Sequence, residues 1–226
     1  MAVNIAGYQL IKKQLDANQV TLVAVSKTKP VEDIQQLYDL GQRDFGENYV
    51  QELVDKHEKL PKDIRWHFIG HLQTNKVKYI ASFVQLIHGV DSVKLLSEIN
   101  KQAKKIDRKI SCLLQVFISK EETKFGFDEP ELMEVISSLK RDEYDHVIVN
   151  GLMGMATFTE DNSLIISEFN RLHDIFERVK IKLAETKHPS TILSMGMSAD
   201  YQFAVDAGST MVRIGSLLFG ERKYNT

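Results

Sequence analysis

A single cysteine, Cys112, stands among 226 residues, which excludes an intramolecular disulfide and any metal site built from several thiolates. Cys112 lies in an apolar run of the kind that packs in a core. Neither sign of charge dominates. Twenty-nine lysines and arginines face 31 aspartates and glutamates, for a formal net charge of -2. No global field therefore draws nucleic acid or an anionic membrane, and the expected partners are small molecules or proteins. No apolar run reaches membrane-spanning length, and the opening M-A-V-N-I-A-G-Y lacks the basic and apolar regions of a signal peptide. A cytoplasmic location is the resulting expectation. The histidines show no H-E-x-x-H spacing, so His67 and His71 read as polar loop residues before metal ligands. There is no G-x-S-x-G, and Ser26 is not evidence of an acyl-transfer nucleophile.

What is present alternates. The 43% apolar content supports a core, and Ile5, Tyr8, Ile11 and Leu15 fall at helical spacing. Val20 to Val25 is an apolar, mostly β-branched run, as in a strand covered on both faces. Val31, Ile34, Leu37 and Tyr38 then repeat at helical period, and Gly41 closes that helix. Further strands are expected at R-D-F-G-E, at Trp66 to Gly70, and over 84–90, 110–118, 147–155, 191–197 and 211–219. Helical patterns lie between them, the longest running through Ile165, Phe169, Leu172, Phe176, Val179 and Leu183. About eight strands alternating with helices, without a linker rich in proline or serine, indicate one (β/α)8 barrel domain over residues 1–226. The competing architecture is an open doubly wound sheet, but the G-x-G-x-x-G turn that a dinucleotide binder would carry is missing.

Lys27 follows the first strand, in V-T-L-V-A-V-S-K-T-K-P. Barrels place their ligands at the carboxyl ends of their strands, and desolvation there makes an amine a better nucleophile towards a carbonyl. S-M-G-M-S from Ser194 to Ser198 and R-I-G-S from Arg213 to Ser216 follow the seventh and eighth expected strands. Those two loops meet in a barrel, where main-chain N–H groups and small residues commonly hold a phosphate. Ser198, Gly215 and Ser216 are the candidate donors, with an ordinary N-cap as the alternative for Ser198. An amine, a phosphate cradle and Arg213 together point to pyridoxal 5'-phosphate held as an imine.

The stretches A-V-S-K-T-K-P, F-G-E-N-Y-V-Q-E, W-H-F-I-G-H-L-Q-T-N-K, K-F-G-F, N-G-L-M-G-M, L-S-M-G-M-S-A-D and M-V-R-I-G-S-L-L-F-G-E-R run in order from Ala24 to Arg222. Through them the chain resembles the pyridoxal-phosphate homeostasis proteins, a family similar to the N-terminal barrel domain of alanine racemase. The resemblance implies that Lys27 carries the cofactor, that Arg213 faces the pyridine nitrogen, and that Ser198, Gly215 and Ser216 hold the phosphate. It also implies that Asn48 and His67 line the same mouth.

A guanidinium stays charged and donates without giving up its proton, which leaves the ring a weak electron sink. Racemisation further needs an acid or base on each face of the substrate. In the resembling racemases the second is a tyrosine of a partner subunit, held beside a β-rich domain that is not expected after Thr226. Tyr49, Tyr79, Tyr201 and Tyr224 read as packing or surface. The expectation is a monomer or weak homodimer that stores the vitamin B6 cofactor, regulates its free level and hands it to apo-enzymes without turnover. That regulatory role comes from the resemblance alone. The alternatives are an amino-acid racemase or lyase using the same imine, and an aldolase whose lysine takes a phosphorylated sugar. Lys124, Glu121 and Glu122 read as surface side chains, and Trp66 as barrel packing.

Overall fold

Strand β1, Thr21–Val25, alternates between two buried faces. Leu22 and Ala24 pack outward among the helices, while Val23 joins Leu86, Leu113, Met153 and Met211 in a separate cluster inside the sheet. An apolar run without polar alternation is what burial on both faces requires. The computed structural model describes residues 3–119, 125–139, 144–184 and 186–220. Glu121, Glu122, Lys124 and Tyr224 lie outside the described residues.

The remaining strands are β2 (Asp44–Glu47), β3 (Arg65–Phe68), β4 (Leu86–Val90), β5 (Ile110–Gln115), β6 (Val147–Met153), β7 (Ile192–Ser194) and β8 (Met211–Ile214). Each pairs in parallel with the next, and β8 returns to β1 with Val23 level with Arg213, closing an eight-stranded barrel. All strands run one way, so every strand-to-helix loop opens on a single mouth.

The helices are α1 (Ile5–Ala17), α2 (Val31–Asp39), α3 (Val50–Lys59), α4 (Val77–Ile80), α5 (Val93–Lys105), α6 (Glu129–Leu139), α7 (Asn162–Leu183), α8 (Tyr201–Asp206) and α9 (Ser216–Phe219). Their starts follow local chemistry. Asn4 accepts from Gly7 N, and Asp161 accepts from the N–H groups of Ser163 and Leu164. Asp128 and Glu131 exchange hydrogen bonds of 2.8 and 3.2 Å as a capping box. Gly41, at φ 97, ends α2 in the left-handed region.

The expected elements are present with shifted ends, and two differences bear on the mouth. The eighth strand stops at Ile214 instead of reaching Phe219, because Ser216–Phe219 turns into α9 and buries Leu218 and Phe219. Asn4 holds that turn, its N–H on Leu218 O at 2.8 Å and its amide on Leu217 O at 3.1 Å. The helix expected from Ser198 begins at Tyr201, after a turn over 198–200. No helix among the described residues is long and apolar enough to cross a membrane.

Candidate functional site

The residues on either side of Lys27 are fastened. Ser26 Oγ donates to Glu47 Oε1 at 2.6 Å, and Thr28, at a left-handed φ of 64, donates its N–H to Glu52 Oε1 at 2.6 Å. A threonine rarely holds that backbone without support. Lys56 ties the parts together, since its Nζ bonds Ser26 O at 2.8 Å, Glu47 Oε1 at 2.8 Å and Glu52 Oε1 at 2.6 Å. Burial pushes the Glu47 carboxyl up to about 7 against the opposing pull of Lys56 and Ser26. Its second oxygen is buried without a hydrogen-bond partner.

Half-buried Lys27 borders a cavity of about 410 Å³ at the carboxyl ends of β1 and β8, within the range usual for small-molecule sites. Asn48, Ser198, Arg213, Gly215 and Ser216 line the same cavity. Buried Arg213 donates through Nη1 to Ser194 O at 2.9 Å and Ser194 Oγ at 2.7 Å, and through Nη2 to Gly154 O at 3.1 Å. Its Nε–H and one Nη2–H have no partner among the described residues. Burial lowers the guanidinium to about 10, opposed by Asp200, so it stays charged at neutral pH.

Ser198 is not the N-cap of the next helix. Asp200 holds that position, and Ser198 Oγ instead accepts from Gly215 N at 3.2 Å, joining the two loops that the sequence reading brought together. A Cβ at Gly215 would lie 3.2 Å from Val25 O, so glycine lets β8 close against β1 there. Asn48 Oδ1 is buried without a partner, and a Cβ on Gly70 would stand 2.7 Å from Asn48 O. The glycine is what allows the chain after β3 to reach Asn48.

The structure does not bring His67 to this cavity, which corrects the expectation that it lines the mouth. Trp66 and Phe68 pack outward with the helices, so the alternation of β3 turns His67 into the barrel interior. There its Nδ1 lies 2.9 Å from His88 Nε2 and its Nε2 lies 3.0 Å from Asp44 Oδ1. Both ring nitrogens are thus occupied away from any ligand. His88 Nδ1 continues to Ser194 Oγ at 3.1 Å, and burial, with His67 and Arg213 nearby, holds the His88 imidazole far below its ordinary value. Arg65 grips Asp44 with bonds of 2.7 and 2.5 Å, and Arg65 and His67 hold the Asp44 carboxyl down at about 2 despite its burial.

Sequence reasoning missed Asp44, Glu47, Glu52, Lys56, His88 and Ser194. A signal existed for His88, a polar residue inside the apolar strand L-I-H-G-V. Another existed for Glu52 and Lys56, an i,i+4 pair on α3. Tyr49 and Tyr79 are exposed and Tyr201 is buried against Gln14, as expected of surface and packing side chains. His71 lies 2.9 Å from Asp91 and stacks on Phe125.

Comparison with known proteins adds to this geometry. The model of the family described as "Alanine racemase, N-terminal domain" matches residues 6–223. A protein of Pasteurella multocida named pyridoxal phosphate homeostasis protein is 39% identical over 209 residues, covering 91% of this chain and 88% of its own. One of the same name from Homo sapiens is 40% identical over 223 residues, covering 94% and 80%. Among solved structures, PipY of Synechococcus elongatus PCC7942 with PLP bound superposes with a TM-score of 0.85 at 32% identity, covering 95% of this chain and 99% of that one. Alanine racemase from Bartonella henselae shares the fold at 19% identity and a TM-score of 0.71, with 100% of this chain matched to 62% of that one.

Proposed function

The chain belongs to the alanine racemase N-terminal domain family and, within it, to the pyridoxal phosphate homeostasis proteins, and from that premise we propose that it holds pyridoxal 5'-phosphate covalently at Lys27 and stores and releases it. The observation that carries this reading is that one cavity gathers an amine, a buried guanidinium with two unused N–H groups, and the Ser198–Gly215 contact between the last two loops. When bound, the cofactor supplies an aldehyde that condenses reversibly with an amine, a ring nitrogen that accepts a hydrogen bond, and a phosphate.

The donor set fits each of those demands. Lys27 is the amine, presented by the Ser26 and Thr28 anchors. Arg213 points its remaining N–H groups at the ring nitrogen, while Ser198, Gly215 and Ser216 take the phosphate. The orphaned Asn48 Oδ1 is a further polar contact. The solved structure of PipY with PLP bound, at 32% identity over nearly the whole chain, supports pyridoxal 5'-phosphate as the ligand.

Storage suits the charges at the mouth better than turnover does. Arg213 remains a donor, so the ring nitrogen keeps no proton and withdraws electrons weakly. Proton transfer on two faces of a substrate needs two acid/base groups. The titratable side chains of the described lining are Lys27, Lys29 and Arg213, and the Lys29 amine bonds Phe219 O at 2.8 Å and Gly220 O at 3.2 Å. Apo-enzymes that accept the cofactor are the partners that this reading calls for.

The rival is an amino-acid racemase or lyase on the same barrel. Incubating the cofactor-loaded protein with amino acids in deuterated water separates the two. Storage predicts no α-proton exchange above the rate of free cofactor and transfer of the cofactor to an apo-enzyme. Exchange at enzyme-like rates would overturn it.

A further inference from the structure

We propose that Ser194, His88, His67 and Asp44 form a hydrogen-bond relay of single polarity through the barrel interior, and that this relay positions Arg213. The chain of contacts is continuous. It runs from Arg65 and Asp44, which open β3 and β2 at the amino end of the barrel, through His67 and His88 to Ser194 and Arg213. Every link is 3.1 Å or shorter, and the members between Asp44 and Arg213 are buried.

The ends of the chain dictate its direction. A guanidinium only donates and a carboxylate only accepts. Arg213 donates to Ser194 Oγ, which leaves the Ser194 hydroxyl proton to go to His88 Nδ1. His88 then carries its proton on Nε2 and donates to His67 Nδ1, and His67 donates from Nε2 to Asp44. Each histidine needs one ring proton. A second proton on His67 would reverse both histidine links, direct two donors at Ser194 Oγ and leave the serine proton without an acceptor among the described residues. It would also add a positive charge to an interior that already holds Arg213.

The functional consequence rests on the reading of Arg213 as the group facing the ring nitrogen. Ser194 supplies two of the three acceptors that orient the guanidinium, and donating its own proton to His88 Nδ1 fixes the hydroxyl oxygen with its lone pairs turned to Arg213. Ser194, His88, His67 and Asp44 are thus positioning residues that act on the mouth from inside the sheet.

The test begins with the cofactor-free protein and therefore stands apart from the storage hypothesis. Nitrogen-15 NMR of the imidazoles at pH 7 is expected to show His67 and His88 both protonated on Nε2 alone. Ser194→Ala should move the His88 Nδ1 resonance towards that of an acceptor without a hydrogen bond. It should also weaken binding of pyridoxal 5'-phosphate roughly fivefold to tenfold, as loss of one buried hydrogen bond implies, and shift the visible band of the bound cofactor. Either ring protonated on Nδ1, or an Ala variant with unchanged His88 resonances, would overturn the relay. An unchanged band and affinity in that variant would overturn its positioning role. Failure of the wild-type protein to bind the cofactor would sink the storage reading and leave the tautomers to decide the relay.

Discussion

Lys56 Nζ lies 2.8 Å from Glu47 Oε1 with both side chains buried, and the same ammonium holds the Ser26 carbonyl at 2.8 Å, one residue before Lys27. A helix lysine that does not line the cavity thereby fixes where the mouth lysine emerges. Desolvating both ions is costly, and the pair persists because three acceptors surround the ammonium.

Removing one member should therefore be worse than removing both. Lys56→Met is expected to destabilise the fold by about 3–5 kcal/mol, because it strands Glu47 in the interior. Combining it with Glu47→Gln should recover a large part of that loss. Urea unfolding of the two single variants and the double variant measures the coupling. Additive losses would contradict it.

Glu47 also gives stability a pH dependence of definite sign. Its folded value, about 7, lies above the ordinary 4.5, so between those values the folded state binds more protons than the unfolded state. Stability from this group falls as pH rises from about 4.5 to 7 and is flat below that window. Relative to Glu47→Gln, the wild-type protein should lose stability across the interval. A constant difference would contradict the shift.

His88 works in the opposite direction. Burial depresses its folded value well below 6.5, so below that pH the unfolded chain takes up a proton that the folded imidazole does not. Its contribution is present above 6.5 and diminishes as pH falls. The stability gap between wild type and His88→Gln should narrow between about pH 7 and pH 5, as measured by urea unfolding at each pH. A gap that widened would count against a neutral His88.

Two glycines separate backbone strain from crowding. Gly41, at φ +97, has open space where a Cβ would sit, whereas Gly196, at φ +92, would place a Cβ 2.6 Å from Ala204 Cβ. Gly41→Ala should cost about 1–2 kcal/mol for conformation alone. Gly196→Ala should cost a further 1–3 kcal/mol or so for overpacking, and it should loosen the turn that presents Ser198. Equal losses in thermal unfolding would show that crowding at Gly196 is relieved without cost.

The barrel and most of its mouth could be read in the sequence because both rest on local signals. Apolar runs alternate with helical stripes, and a residue just after a parallel strand has one place to be. Lys27 and Ser198 were placed that way, and Arg213 and Gly215 through the R-I-G-S run at the last strand. His67 was misplaced because its partners His88 and Asp44 stand 21 residues further along the chain and 23 residues back, and no local pattern records that they meet inside the sheet. The run M-V-R-I-G-S-L-L-F reads as one strand because apolar content alone does not separate a strand from a helical turn that buries Leu218 and Phe219. The cap that stood as the alternative for Ser198 could not be set aside from sequence, since its contact to Gly215 spans two loops that only the closed barrel brings together.

The central claim is that Lys27 holds the cofactor. Its most direct test is to incubate the protein with pyridoxal 5'-phosphate, reduce with borohydride, and map the modified peptide by mass, with Lys27→Ala alongside. The account predicts a single cofactor mass on the peptide containing Lys27 and none at the mouth of the alanine variant. An unmodified Lys27 in wild-type protein under conditions of full cofactor binding would contradict it.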